Sequence, residues 1–280
     1  MKLEDWKQRQ KLHCKVREFF LNRGLLEVDV PMLSPFAGTD PQLDYFETLL
    51  PAHYLATSPE FYMKRLLAEG FGDIFSLTHA FRKGETGKRH NSEFNIAEWY
   101  RIGFSAEELQ QEILDLVNCI TGLNLPLKRT TWQAAFEGID MEERKDWTQE
   151  EMEDYTMATI IEPNLGKNCA EFIVDYPPER AALAKIRKTA ACRFELYVNG
   201  IELCNGYEEL TDAKEQKKRF LEDIEKRKKM GKPIPKIDEN FLAALEKGIP
   251  ECSGVALGLD RLYMLAMGKD NIEDVLLFKE

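Results

Sequence analysis

This 280-residue chain predicts an α+β fold, an antiparallel sheet flanked by helices. Three observations carry that expectation. Strand-like segments come in neighbouring pairs with short connections, most clearly around Asn199-Gly200, a residue pair suited to a tight hairpin turn. Helical segments fall between those pairs instead of alternating with strands, as a doubly wound parallel sheet would require. Apolar residues make up 44% of the chain, enough for a sizeable core, and the 31% charged residues are mixed in sign, which excludes a disordered chain.

The elements follow in order. Residues 6–23 read as a helix, with Leu12, Val16, Phe19 and Phe20 at helical spacing and Gly24 as its stop. Leu25–Val30 reads as a short strand and 34–41 as loop. A helix over 59–69 starts with Ser58 as cap and Pro59 in the first turn. Ile74–Arg82 and 94–102 are strands around a charged, glycine-containing loop, Lys83–Asn91; Phe94, Ile96, Glu98, Tyr100 and Ile102 share one strand face. A helix covers 105–120, and the acidic stretch 137–154 reads as a surface helical insertion. Strands return at 171–175, 193–199 and 201–207. A charged helix over 212–230 turns Phe220, Ile224 and Met230 inward and the lysines and arginines of 217–219 and 226–229 to solvent, where they could also meet an acidic partner. A last strand, 253–257, meets Gly258 and a helix over 260–267.

Composition narrows the function classes. Lys and Arg total 38 against 49 Asp and Glu, a net charge of -11, which argues against a general nucleic-acid binder. No apolar run approaches the roughly 20 residues that span a bilayer, and Met1–Lys15 is too charged for a leader core; a cytoplasmic location is expected. The six cysteines, at 14, 119, 169, 192, 204 and 252, are scattered and read as buried free thiols, with no zinc site and no disulfide framework.

Three segments carry chemistry: 81–100, 195–209 and 254–261. Arg82 ends a strand before a loop and Arg261 opens a helix after a glycine turn, positions from which a guanidinium fork reaches phosphate. Phe94 can stack on a base. Glu195 and Glu202 flank the hairpin turn and could share Mg²⁺, which prefers oxygen ligands. Glu98 with Tyr100, and Asn205 with Tyr207 and Glu209, offer carboxylates and hydroxyls suited to a cationic ligand. Each has a plain alternative: surface ion pairs for the arginines, core for Phe94, a solvated sheet face for Glu202 and Glu209. Glu98, between Ala97 and Trp99, resists dismissal because buried acids need partners.

Together and in this order, the segments resemble a class II aminoacyl-tRNA synthetase catalytic domain. Gly24–Pro31 looks like motif 1, Phe81-Arg82 through Glu98 like motif 2, and Gly254–Arg261 like motif 3. Thr57-Ser58-Pro59-Glu60, Glu98-Trp99-Tyr100 and 202–209 narrow the resemblance to the lysyl branch. Motif 1 begins within the first 30 residues, leaving no room for the anticodon-binding barrel of lysyl-tRNA synthetases, so residues 1–280 are expected to be a single catalytic domain without an anticodon-binding domain. A catalytic domain of this kind resembles the elongation factor P–lysine lysyltransferase family. That resemblance implies ATP-dependent activation of lysine, preferably (R)-β-lysine, as an acyl-adenylate, and transfer to a lysine of elongation factor P. It also implies a homodimer through motif 1, with tRNA not a substrate. The rival readings are a truncated synthetase acylating tRNA, a non-catalytic regulatory paralogue, and an amide ligase of the asparagine synthetase kind.

Residue by residue, the resemblance implies that Arg82 holds the α-phosphate and the substrate carboxylate. His90 and Asn91 seat the triphosphate and adenosine, within an ATP-binding loop that includes Lys83, Gly84 and Glu85. Phe94 lies under adenine, with Arg261 above it and reaching the γ-phosphate. Glu195 and Glu202 hold Mg²⁺, while Leu203 and Gly258 line the nucleotide. Glu60 takes the substrate's backbone-side amine. Glu98, Tyr100, Asn205, Tyr207 and Glu209 surround the terminal ammonium, with Ser58 and Pro59 at the entrance. Two departures from the synthetase pattern stand out. Gly84 stands where motif 2 usually has glutamate, so Glu85 takes over the adenine contact. Ala256 stands where lysyl-tRNA synthetases have glycine, which narrows the pocket near the amine end and goes with β- over α-lysine.

Overall fold

The computed structural model describes residues 2–278. Its eight α-helices are α1 (Leu3–Leu21), α2 (Glu60–Ala68), α3 (Ala106–Thr121), α4 (Trp132–Ala135), α5 (Gln149–Thr156), α6 (Ala213–Lys229), α7 (Glu239–Lys247) and α8 (Leu259–Ala266). The strands are β1 (Leu26–Glu27), β2 (Leu33–Ser34), β3 (Tyr54–Leu55), β4 (Ile74–Phe81), β5 (Glu93–Ile102), β6 (Leu127–Thr131), β7 (Ala170–Tyr176), β8 (Ile186–Arg187), β9 (Ala190–Val198), β10 (Ile201–Glu208) and β11 (Cys252–Gly258).

Nine strands form one sheet in the order β1-β4-β5-β11-β10-β9-β7-β6, with β8 on β9, while β2 and β3 pair separately. From β4 to β7 every pairing is antiparallel, as the hairpin pattern predicts. The edge strands β1 and β6 instead run parallel to their neighbours, so the sheet is mixed. Both parallel strands reach their partners from outside any hairpin, which local turn chemistry does not announce.

Period-two alternation decides which face is buried. Phe75, Ala97, Trp99, Phe194, Leu196, Val255 and Leu257 join a core with Phe20 of α1, Ile113 and Leu116 of α3, and Leu262 and Tyr263 of α8. Ser105 and Glu108 close a capping box on α3. Asn199 (φ 51°) and Gly200 (φ 69°) both take the left-handed conformation of a type I′ turn. A Cβ on Gly200 would also press within 3.0–3.1 Å of the Glu162 and Pro163 backbone.

Several local expectations shift. The helix expected over 6–23 starts at Leu3, and the strand expected over 25–30 shrinks to the two residues of β1. Of the acidic stretch 137–154, only the part from Gln149 is regular helix. On α6 the inward edge holds Arg227, wholly buried, while Met230 is 52% exposed. Arg227 donates to the carbonyls of Asp40, Leu43 and Pro233, which ties α6 to the 40–44 loop. All six cysteines are unpaired, but only Cys204 and Cys252 are buried; Cys14 and Cys119 are exposed. Among the described residues no helix is long and apolar enough to cross a membrane.

Candidate active site

The open face of the sheet floors a cavity of about 860 Å³. Residues of β5, β9, β10 and β11 form the floor, and residues of α2, the 82–91 loop, α5 and α6 complete the wall.

Strand register assembles the floor. Glu98 lies opposite Ala256, Ala256 opposite Asn205, and Asn205 opposite Glu195. One row along, Tyr100, Gly254, Tyr207 and Arg193 succeed one another in the same way. A strict period of two would separate Glu202 from Asn205, Tyr207 and Glu209. A bulge removes the conflict: Glu202 faces Tyr197 while Cys204 faces Leu196, so one extra residue shifts the parity of β10. Glu202, Asn205, Tyr207 and Glu209 all then line one cavity.

At one end the groups suit a cation. Glu98, 2% exposed, accepts from Ser58 Oγ at 2.6 Å and Tyr100 Oη at 2.7 Å. Burial, followed by the charge of Glu60, pushes its pKa up to about 8. Glu209 is raised to about 7, again by burial. Lys64 Nζ lies 2.6 Å from Glu60 Oε1 and 2.5 Å from Glu209 Oε2. Asn205 donates to Tyr207 Oη at 3.1 Å, leaving its buried carbonyl oxygen without a hydrogen bond among the described residues. An ammonium group would supply the missing donor. Gly254 provides the room, since a Cβ there would strike the Tyr100 ring and lie 2.5 Å from Glu209 Oε1.

The other end suits an anion bearing an aromatic base. Arg82 lies over the half-buried Phe94 ring at 5.1 Å, 3.8 Å from Glu85, with its Nε buried and unpaired among the described residues. Arg261 donates to the Glu202 carbonyl at 2.9 Å and carboxylate at 3.2 Å, and lies 2.6 Å from His90 Nε2. Burial, then Arg261, lowers the His90 pKa. Beside Arg261, the buried Asp260 accepts from Arg9 at 2.9 Å and from the Asn95 backbone at 2.7 Å. The acid of the Asp-Arg pair thus locks the start of α8 onto β5 and α1, and the arginine follows.

Near this end lies a third group of acids. Glu195 accepts from Arg193 at 2.6 Å and Tyr197 at 2.7 Å. Burial is the largest influence and raises its pKa, but Arg193 together with the hydrogen bonds of Tyr197 and Tyr176 outweighs it, and the net shift is downward. Burial and Glu195 raise Glu202; burial, Glu202 and Glu195 raise Glu162 to about 7.

The cavity therefore brings together Ser58, Glu60, Arg82, Glu85, His90, Asn91, Phe94, Glu98, Tyr100, Glu195, Glu202, Leu203, Asn205, Tyr207, Glu209, Ala256, Gly258 and Arg261. Pro59, Lys83 and Gly84 lie outside its wall. Pro59 sits at the start of α2, Lys83 N donates to Asp44 O at 2.8 Å, and Gly84 makes a left-handed turn (φ 84°). The guanidinium over Phe94 is that of Arg82; Arg261 turns to Glu202 and His90.

Sequence reasoning missed Lys64, Arg89, Glu162, Arg193 and the acidic part of the wall. Lys64 had a signal in its i,i+4 spacing from Glu60 between the buried Met63 and Leu67. The stretch assigned to open surface contributes Thr148, Glu150, Glu151 and Asp154 to the cavity, because Arg180 pairs with Glu153 and Asp154 while its carbonyl accepts from Arg193. Lys226 and Lys229 of α6 line the same cavity.

A pH prediction follows. Glu98 and Glu209 bind protons more tightly in the folded chain than at their ordinary 4.5, so their contribution to stability is full below that value and is lost as pH rises through 7 and 8. An ammonium ligand compensates the ionised forms. The rise in melting temperature given by saturating lysine is therefore expected to be larger at pH 8 than at pH 6 by scanning calorimetry; equal shifts would count against an acid-lined ammonium site.

A family model described as tRNA synthetases class II (D, K and N) matches residues 3–280. The chain is 41% identical over 307 aligned residues to a protein of Pasteurella multocida named Elongation factor P--(R)-beta-lysine ligase, covering 99% of this chain and 95% of that one. Proteins of the same name match from Avibacterium paragallinarum, at 42% identity over 96% of this chain and 93% of the relative, and from Haemophilus influenzae, at 40% over 97% and 93%.

Proposed function

Because this chain belongs to the class II tRNA synthetases (D, K and N) and, within them, groups with the elongation factor P–(R)-β-lysine ligases, we propose that it is an ATP-dependent ligase that activates lysine and transfers it to a lysine side chain of elongation factor P. One observation carries the reading. A single cavity has unpaired donor capacity at Arg82 at one end, and at the other buried acids and the orphaned Asn205 oxygen. A nucleotide fits the first end and an amino acid with a second ammonium the other.

In the first step the substrate carboxylate oxygen attacks the α-phosphorus of ATP, an acyl–phosphate bond forms, and pyrophosphate leaves. No protein nucleophile is needed. Arg82 and Arg261 neutralise charge on the phosphate oxygens, and Phe94, His90, Asn91, Glu85, Leu203 and Gly258 seat the nucleotide. In the second step the acceptor amine attacks the acyl carbon and AMP leaves.

The donor set fits Mg²⁺, a hard cation commonly held by one or two carboxylates plus phosphates and water. Burial raises the Glu202 pKa and the nearby charge of Glu195 adds to it, a repulsion that a cation would relieve. Glu202 and Glu195 would hold it, and it would neutralise phosphate charge when bound. Among the described residues there is no group of three or more His, Cys, Asp or Glu placed to hold a metal ion.

Glu60 takes the backbone-side amine, and Glu98, Tyr100, Asn205, Tyr207 and Glu209 the terminal ammonium. The Ala256 methyl, between Glu98 and Asn205, narrows the floor and favours (R)-β-lysine over α-lysine. We read the chain as one catalytic domain that forms a homodimer through Gly24–Pro31, where Leu26 is half exposed and is flanked by the equally exposed Leu21 and Leu33.

The test is a transfer assay with labelled α- or β-lysine, ATP and the chain, offered purified elongation factor P or bulk tRNA. Label is expected in the protein, more from β-lysine. Label in tRNA with none in the protein would overturn the reading.

A further inference from the structure

Lys64 carries the same charge as the ligand whose site it adjoins. Its side chain is 2% exposed, does not line the cavity, and packs 5.8 Å from the Phe241 ring centroid. From behind the wall its ammonium reaches Glu60 Oε1 at 2.6 Å and Glu209 Oε2 at 2.5 Å, and both acids line the cavity. Glu60 opens α2, whereas Glu209 follows β10, so the ammonium sets the separation of two carboxylates from distant parts of the chain. Gly254 backs the other oxygen of Glu209.

Charge completes the picture. Three carboxyl groups, Glu60, Glu98 and Glu209, meet the single ammonium of Lys64, so two further ammonium groups are needed to balance them when all three are ionised. That matches an amino acid with two ammonium groups. A ligand with one ammonium leaves a buried carboxylate unpaired, which is costly. The other titratable groups around Glu209 are the buried Tyr100 and Cys252 and the half-buried Tyr207.

We propose that Lys64 is a positioning and specificity residue: it holds the carboxyl groups of Glu60 and Glu209 at a fixed separation, so that the cavity selects a diamino acid over one with a single ammonium. This rests on the lysine-activating reading above and deepens it. Without Lys64 the two acids repel each other, and one takes up a proton or turns away.

The test is ATP–pyrophosphate exchange by wild type, Lys64→Met and Lys64→Arg with β-lysine, α-lysine and norleucine, whose side chain ends in a methyl group. Lys64→Met is expected to raise KM for lysine at least about tenfold, leave KM for ATP within about twofold, and cut the preference for lysine over norleucine by about tenfold or more. Lys64→Arg, which restores charge with a different shape, is expected to recover part of that preference. A merely structural ion pair would not split the two KM values. Should Lys64→Met lose its circular-dichroism signature, Lys64→Gln, which still donates to one carboxylate, carries the same expectation. Wild-type KM and preference in a folded Lys64→Met or Lys64→Gln overturn the inference alone. A wild type that exchanges with neither lysine overturns the functional reading and this inference with it.

Discussion

Arg261→Ala is expected to reduce lysine-dependent ATP–pyrophosphate exchange by about a thousandfold, roughly 4 kcal/mol of transition-state stabilisation. The guanidinium is held by the Glu202 carbonyl and carboxylate and lies against His90, so it is oriented before any nucleotide arrives. That preorganisation rests on Asp260, fixed by Arg9 and the Asn95 backbone. Alanine removes the charge and leaves this anchor in place, so the fold should persist. Exchange assays alongside circular dichroism check this, and wild-type exchange in the folded variant would remove Arg261 from the mechanism.

The second large effect belongs to Gly254. Its Gly254→Ala variant would place a methyl against the Tyr100 ring and 2.5 Å from Glu209 Oε1. Both neighbours are buried, and both belong to the ammonium end, so neither can move without disturbing it. KM for lysine is expected to rise at least about a hundredfold with KM for ATP little changed, because only one end of the cavity is touched. Steady-state exchange with each substrate varied in turn measures the split; a parallel rise in both values would mean that the strand itself had given way. Gly258, on the same strand, makes a contrast: a Cβ there meets only the Arg261 side chain, at 3.6 Å or more.

Much of this site is legible in the sequence. Phe94, Glu98 and Tyr100 fall on one face by alternation alone, and Asn199-Gly200 announces its hairpin through residue types that tolerate positive φ. The arginines at a strand end and at a helix start point to an anion for the same local reason. The bulge at Leu203 was not legible: it depends on which residue of β9 lies opposite, and no property of β10 by itself reports that. The two-residue β1 is equally silent, since its pairing rests on β4, nearly fifty positions away. Arg227 reads like any other member of a basic run, yet is the one that turns inward, because the carbonyls it satisfies come from the 40–44 loop and Pro233.

The sequence by itself determined the antiparallel centre of the sheet, its main helices, and the residue types facing the ligand, because alternation, capping and turn chemistry are local properties of the chain; the parallel edge strands β1 and β6 were decided by the tertiary structure. Only the tertiary structure decided how the acids are distributed. Glu98 keeps Ser58 and Tyr100, Glu195 is held by Arg193, and Glu60 and Glu209 share Lys64. Burial makes an unpaired charge costly, so each carboxylate takes its state from neighbours that folding brings to it. In this cavity those neighbours come from α2 and the turn before it, β5 and β9, and their meeting separates an ammonium end from a phosphate end.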